Sequence, residues 1–171
     1  MNNKDFVQGG SLANKNGKIF EDVLIPIFLN HGYIVIKQSN RHYDKFIEEN
    51  NKIVVCSAKY KSIYNHNAKT EFLIINKNLN RKIRIECKWQ QSAGSVDEKI
   101  PYLYLNSIFS FEENEVILII DGKGQKPGSI DWLKYQIDNN WLNEKNKIIR
   151  LMDLSSFISW FNEFNKKESN V

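Results

Sequence analysis

The chain has 171 residues with a net charge of +4, 42% apolar and 12% aromatic residues, enough apolar mass for one ordinary domain with a real core and too much for wholesale disorder. No apolar run approaches the ~18 residues of a membrane helix, and the N-terminus lacks the apolar stretch of a signal peptide. The two cysteines, Cys56 and Cys87, sit in neither a CxxC pair nor a histidine-rich cluster, which argues against structural zinc and for a reduced, cytoplasmic chain.

Residues 1–16 are polar and glycine-containing ("QGGSLANKN") and read as an arm. A helix is predicted from Gly17 to Asn30, where Ile19, Phe20, Val23, Leu24, Ile27 and Phe28 recur at helical spacing; Pro26 sits inside it as a kinking residue and Gly32 supplies the stop. A strand is predicted over 33–37, a polar loop over 39–52 and a second strand over 52–60. "TEFLIIN" (70–76) and "RKIRIECKW" (81–89) form a hairpin around "KNLN". A helix over 96–111 is opened by "SVDE", a capping box with Ser95 as cap and Glu98 reaching back. "EVILIID" (115–121) is a nearly continuous apolar run, the mark of a strand covered on both faces. A helix over 129–142, a strand over 147–151 and a helix from Asp153 complete the chain. With no internal repeat and no long linker, the fold class is α/β: a single domain with a mixed β-sheet flanked by helices.

The hairpin carries the chemistry. Along 81–89, Ile83, Ile85, Cys87 and Trp89 share one face, and Arg84, Glu86 and Lys88 the other. A turn centred on Asn78–Leu79 pairs residues whose numbers sum to 157, which sets Glu71 opposite Glu86, with Cβ atoms about 4.5–5.5 Å apart. Two carboxylates that close call for a cation between them, and a hard divalent ion with oxygen ligands is the natural candidate. Lys88, one pleat further on the same face, is placed to polarise or deprotonate a water beside it. That set of parts suits hydrolysis of a phosphodiester. The plain alternative for Glu86 and Lys88 is the solvated face of an edge strand, and for Glu71 a surface position.

The loop "KYKSIYNHNAK" interleaves Lys59, Lys61 and Lys69 with Tyr60, Tyr64, Asn65, His66 and Asn67. Lysines supply phosphate contacts and asparagines can pair with adenine edges, although a polar loop is often only a loop. The arm adds Asn14, Asn16 and Lys18, near helix N-terminal amides able to meet a phosphate, whereas "EENNK" and "FEENE" are acidic and would repel one.

Glu71, fourteen intervening residues and then Glu86-Cys87-Lys88 resemble the PD-(D/E)XK nuclease superfamily, home of many restriction endonucleases, junction resolvases and repair exonucleases. The order helix, three-stranded meander, crossover helix, strand over residues 17–121 is also similar to that family's restriction-endonuclease-like core, and "ECKWQQSAGSVDEKIPYLYLN" resembles a small bacterial branch of restriction type. The resemblance implies one nuclease domain over 1–171: an arm (1–16), a catalytic core (17–121) and an α-β-α extension (122–171). It implies Mg²⁺, with Mn²⁺ able to substitute, held by Glu71, Glu86 and the Cys87 main-chain carbonyl, and Lys88 assisting the attacking water. Glu21 on the first helix, as a further catalytic and metal-binding residue, and Gln90, as a further catalytic one, match positions that many members use, although a glutamate in a helix's first turn also suits the helix dipole. Gln91 is left as a surface or DNA-contacting residue. Thr70-Glu71 departs from the family's usual Pro-Asp, and glutamate is longer by one methylene. The implied activity is that of a metal-dependent DNA endonuclease, foremost a homodimeric type II restriction enzyme on double-stranded DNA. A structure-specific nuclease such as a junction resolvase, or a silent DNA-binding module of the same fold, are the alternatives.

Overall fold

The computed structural model describes residues 15–90, 96–122 and 124–166. Its elements are α1 (Lys15–Asn30), β1 (Ile34–Lys37), α2 (Tyr43–Glu49), β2 (Lys52–Lys61), β3 (Asn67–Asn76), β4 (Arg81–Trp89), α3 (Val96–Phe109), β5 (Glu115–Asp121), α4 (Pro127–Asp138), β6 (Ile148–Met152) and α5 (Leu154–Lys166). The six strands form one sheet in sequence order. β2, β3 and β4 are an antiparallel meander; β1 joins β2, β5 joins β4 and β6 joins β5 in parallel. The architecture is a single α/β domain with a mixed sheet flanked by helices, the restriction-endonuclease-like arrangement.

Alternation along the strands builds two cores. Ile83, Ile85 and Cys87 of β4 and Ile117 and Ile119 of β5 pack with Phe20, Leu24 and Phe28 of α1 and Phe157, Phe161 and Phe164 of α5. On the opposite face, Val116, Leu118 and Ile120 meet α3 and α4. Ile53, Val55 and Ile75 meet α2 there. β5 is buried along nearly its whole length, as its apolar run requires. α1 runs through Pro26 and ends at Asn30, and Gly32 at φ +78 reverses the chain while the Tyr33 N–H bonds the Phe28 carbonyl.

Three sequence expectations are corrected. The polar segment 39–52 contains α2: Tyr43, Phe46 and Ile47 recur at i, i+3 and i+4 and cover Ile53 and Val55, an apolar stripe hidden by its polar neighbours. The segment 59–69 is mostly strand, since β2 runs to Lys61 and β3 begins at Asn67, leaving only residues 62–66 as the turn. The predicted helix over 129–142 starts two residues earlier, with Pro127 in its first turn, and stops at Asp138, where Asn140 at φ +50 turns the chain. Ser95 of the expected capping box lies outside the described residues.

The β2–β3 ladder has a gap. Its partners run from Lys52 with Asn76 to Lys61 with Asn67 in one register, yet Ser57 and Glu71 do not pair. Ser57 sits at φ +54, a left-handed conformation that costs a non-glycine residue on the order of 1 kcal/mol or more. The alternation shifts there: Ile53 and Val55 share a cluster with Ala58, three residues further on. Beyond the gap, among the described residues, 58–61 and 67–70 pair only with each other, as a two-stranded ribbon.

Candidate active site

The β3–β4 ladder runs from Asn76 with Arg81 to Phe72 with Ile85, each pair summing to 157, and then stops. The next position in that register holds Glu71 and Glu86. Glu71 therefore stands where its strand has left the ladder on both sides. Its carboxylate takes over part of it, since the Cys87 main-chain N–H donates to Glu71 Oε2 at 2.8 Å.

Glu86 is buried, 7% exposed. Lys88 Nζ donates to Glu86 Oε1 and to the Cys87 carbonyl at 3.2 Å. Glu86 Oε2 is buried and has no hydrogen-bond partner among the described residues. Burial pushes the Glu86 carboxyl above its ordinary value, the Glu71 carboxylate pushes it further, and Lys88 only partly offsets them. Burial also disfavours the Lys88 ammonium, but the Glu86 and Glu71 carboxylates outweigh it, and the lysine holds its proton more tightly than usual.

These donors suit a hard divalent ion. Two carboxyl groups and a main-chain carbonyl offer only oxygen, one carboxyl oxygen lacks a partner among the described residues, and with both carboxyls ionised a single ammonium leaves the trio one negative charge in excess. Among the described residues no three side chains of His, Cys, Asp and Glu gather in a metal cluster. Lys88 occupies the place of a cation between Glu86 and the Cys87 carbonyl.

The Gln90 side chain donates to the Gly124 carbonyl at 3.0 Å, while its main chain bonds Asp121 and Gly124; it ties the end of β4 to the turn after β5. Gly122, at φ +100 in that turn, fits so closely that a Cβ there would collide with the Gln90 carbonyl oxygen. Glu21 is half-buried on α1, and its charge adds to burial in pushing the Cys56 thiol up to about 12. Asn14 and Gln91 lie outside the described residues. Lys18 is exposed on α1, and the Asn16 side chain is not among those described.

The ribbon carries the nominated basic residues. Lys59, Lys61, Asn67 and Lys69 are exposed, and Lys59 pairs directly with Lys69. Alternation puts them on the face opposite Tyr60, whose ring packs edge-on against Phe111 at 4.8 Å. Tyr64, Asn65 and His66 form the exposed tip, with Asn65 at φ +58.

The sequence reading missed what braces the gap. Arg84, two residues before Glu86, is 4% exposed and grips Glu113 through Nε at 2.5 Å and Nη2 at 2.8 Å. Its Nη1 donates to the Ala58 carbonyl and to Thr70 Oγ1, both at 3.2 Å. One guanidinium thus joins β2 and β3 beside Ser57 and Glu71. The "FEENE" run is not a free acidic surface as expected: Glu113 is spent on Arg84, and Glu115 on Arg81 and Arg150. The available signal was an arginine on the same strand face as Glu86, too deep in the sheet to reach solvent.

A family profile described as "PD-(D/E)XK nuclease superfamily domain" matches residues 12–165. Comparison with curated proteins and with solved structures returns no match.

Proposed function

The chain belongs to the PD-(D/E)XK nuclease superfamily, and from that premise we propose that it is a Mg²⁺-dependent DNA endonuclease of type II restriction character, acting in the cytoplasm as a homodimer. The observation that carries the reading is the Lys88 ammonium set between Glu86 and the Cys87 carbonyl, beside an unpartnered Glu86 oxygen and the Glu71 carboxylate. Glu71, Glu86 and the Cys87 carbonyl would hold the ion, with Mn²⁺ able to replace Mg²⁺. When bound, the ion supplies Lewis-acid stabilisation of charge on the phosphodiester and a lowered pKa for its water.

The chain's own residues do the positioning. Glu71 fixes the gap in the sheet through the Cys87 N–H. Lys88 keeps its proton between two carboxylates, so its role is to orient the attacking water and to donate toward developing negative charge. Lys59, Lys61 and Lys69 meet phosphates along the ribbon, joined by Lys18 on α1, while Asn65, His66 and Asn67 lie where base edges can be read. Two copies related by a two-fold axis would cut the two strands of a duplex with one site each. Glu21 and Gln90 support the site from α1 and from the end of β4.

The test is cleavage of linear duplex and of four-way branched DNA by the purified protein with Mg²⁺, Mn²⁺ or EDTA. Discrete fragments from linear duplex with either metal, and none with EDTA, are expected. Cutting of branched DNA alone would replace the restriction reading with a resolvase. Absence of cutting on every substrate would leave a silent DNA-binding module.

A further inference from the structure

The exposed tip of the ribbon is more ordered than a turn needs. The Ser62 N–H bonds the His66 carbonyl at 2.9 Å, and Ser62 Oγ accepts the N–H groups of Tyr64 and His66. Asn106 of α3 accepts the Ile63 N–H at 3.0 Å and donates to the Tyr102 carbonyl at 2.7 Å. These bonds fix the turn and pin it to α3 without any help from the Tyr64 ring. That ring is nonetheless 64% exposed and laid on Tyr102, with centroids 5.2 Å apart and planes 24° from parallel. The His66 ring lies 6.2 Å from Tyr64. A large aromatic held open to solvent on a preformed turn offers a flat ligand a face to stack on.

The surroundings name the ligand. Lys59, Lys61 and Lys69 line the ribbon's other face, opposite Tyr60, and that basic face leads to the same tip that carries Tyr64. Tyr60 lies between the tip and the carboxylates: burial first, and then the nearby Glu86 and Tyr102, raise its hydroxyl to about 12. Aromatic faces beside cationic tracks bind bases that have left the stack, because every base has a π-face to offer.

We propose that Tyr64 and Tyr102 form a stacking platform for one unpaired nucleobase, so that the DNA presented to Glu71, Glu86 and Lys88 carries a locally unstacked nucleotide. This rests on the nuclease reading above and adds to it a class of substrate: DNA with an overhang, bulge or splayed base near the scissile bond.

The experiment compares a blunt 20-base-pair duplex with the same duplex carrying one unpaired 2-aminopurine. Binding is followed by anisotropy and 2-aminopurine fluorescence in Ca²⁺, and cutting in Mg²⁺. Wild type is expected to favour the unpaired substrate by roughly 5- to 150-fold, the span of one base-stacking contact, and to quench the probe. Tyr64→Leu should bring the ratio to about one and abolish the quench, and Tyr64→Phe should keep both. Tyr102→Leu is the second variant, and circular dichroism checks that each folds. An unchanged ratio in Tyr64→Leu, or equal affinity of wild type for both duplexes, overturns the platform. If the blunt duplex is still cut, the nuclease reading survives that failure. No binding to either DNA overturns both.

Discussion

Glu71 Oε2 accepts the main-chain N–H of Cys87 at 2.8 Å, doing for β4 what a ladder carbonyl of β3 would otherwise do. The side chain spans a gap between strands, and its length is what lets it reach. This gives a physical reason for glutamate where the family usually has aspartate. Glu71→Asp, although it restores the family's residue, is expected to lose the Cys87 bond and lower the cleavage rate by on the order of tenfold to a hundredfold. Single-turnover cleavage in Mg²⁺ measures it, and a rate equal to wild type would show that reach is not the requirement. Glu71→Gln, which can still accept the N–H, should fail instead in metal binding.

A divalent ion held as proposed would call on groups that Lys88 already engages, the Glu86 carboxylate and the Cys87 carbonyl. The ammonium is thus a competitor as well as an assistant. Lys88→Met is expected to abolish cleavage while binding Mn²⁺ at least as tightly as wild type. Calorimetric titration decides, and a tenfold weaker Mn²⁺ affinity in the variant would refute the competition.

Arg84 and Glu113 are both buried and grip each other bidentately. Removing one partner strands the other charge, so Arg84→Met and Glu113→Leu should each cost about 3–5 kcal/mol in urea denaturation. The double variant should cost less than either alone, because neither charge of the pair is left stranded. Additive losses would mean that the pair is not coupled. Where the double variant folds, its cleavage rate reports what the Arg84 bonds to Ala58 and Thr70 contribute to placing Glu71.

Lys59 and Lys69 are directly opposed across the ribbon, a like-charge pair that weakens it in the absence of an anion. Changing Lys59, Lys61 and Lys69 together to glutamine should leave the fold intact and weaken binding to all DNA sequences. The log–log salt dependence measured in Ca²⁺ should flatten by roughly one unit for each phosphate no longer neutralised. An unchanged slope would mean that this face meets no DNA.

The register of the β3–β4 hairpin was legible because "KNLN" leaves no choice of pairing, and the apolar alternation of 81–89 agrees with it. β5 was legible from its unbroken apolar run. α2 was not, because its stripe is three residues wide in a polar segment and becomes visible only against the Ile53–Val55 surface it covers. The gap at Ser57 and Glu71 was invisible for a different reason: both strands read as continuous β sequence, and the interruption is a backbone conformation that no residue type announces. Arg84 looked like a surface residue because burial of a charge depends on a partner 29 positions away. That Glu71, Glu86 and Lys88 lie near one another followed from the hairpin register, although Glu71 has left the ladder and does not pair with Glu86; that departure and the lysine's place between acceptors showed only in the folded chain.

Gly122 touches neither the carboxylates nor the basic ribbon, yet its backbone is pressed against Gln90, two residues past Lys88. Any L-residue there would have to drive the end of β4 aside, and the strand carrying Glu86 and Lys88 with it. In a saturation library screened for cleavage, position 122 should accept glycine alone. The sharpest filter on viable variants outside the site would then fall on the residue with no side chain to contribute to it.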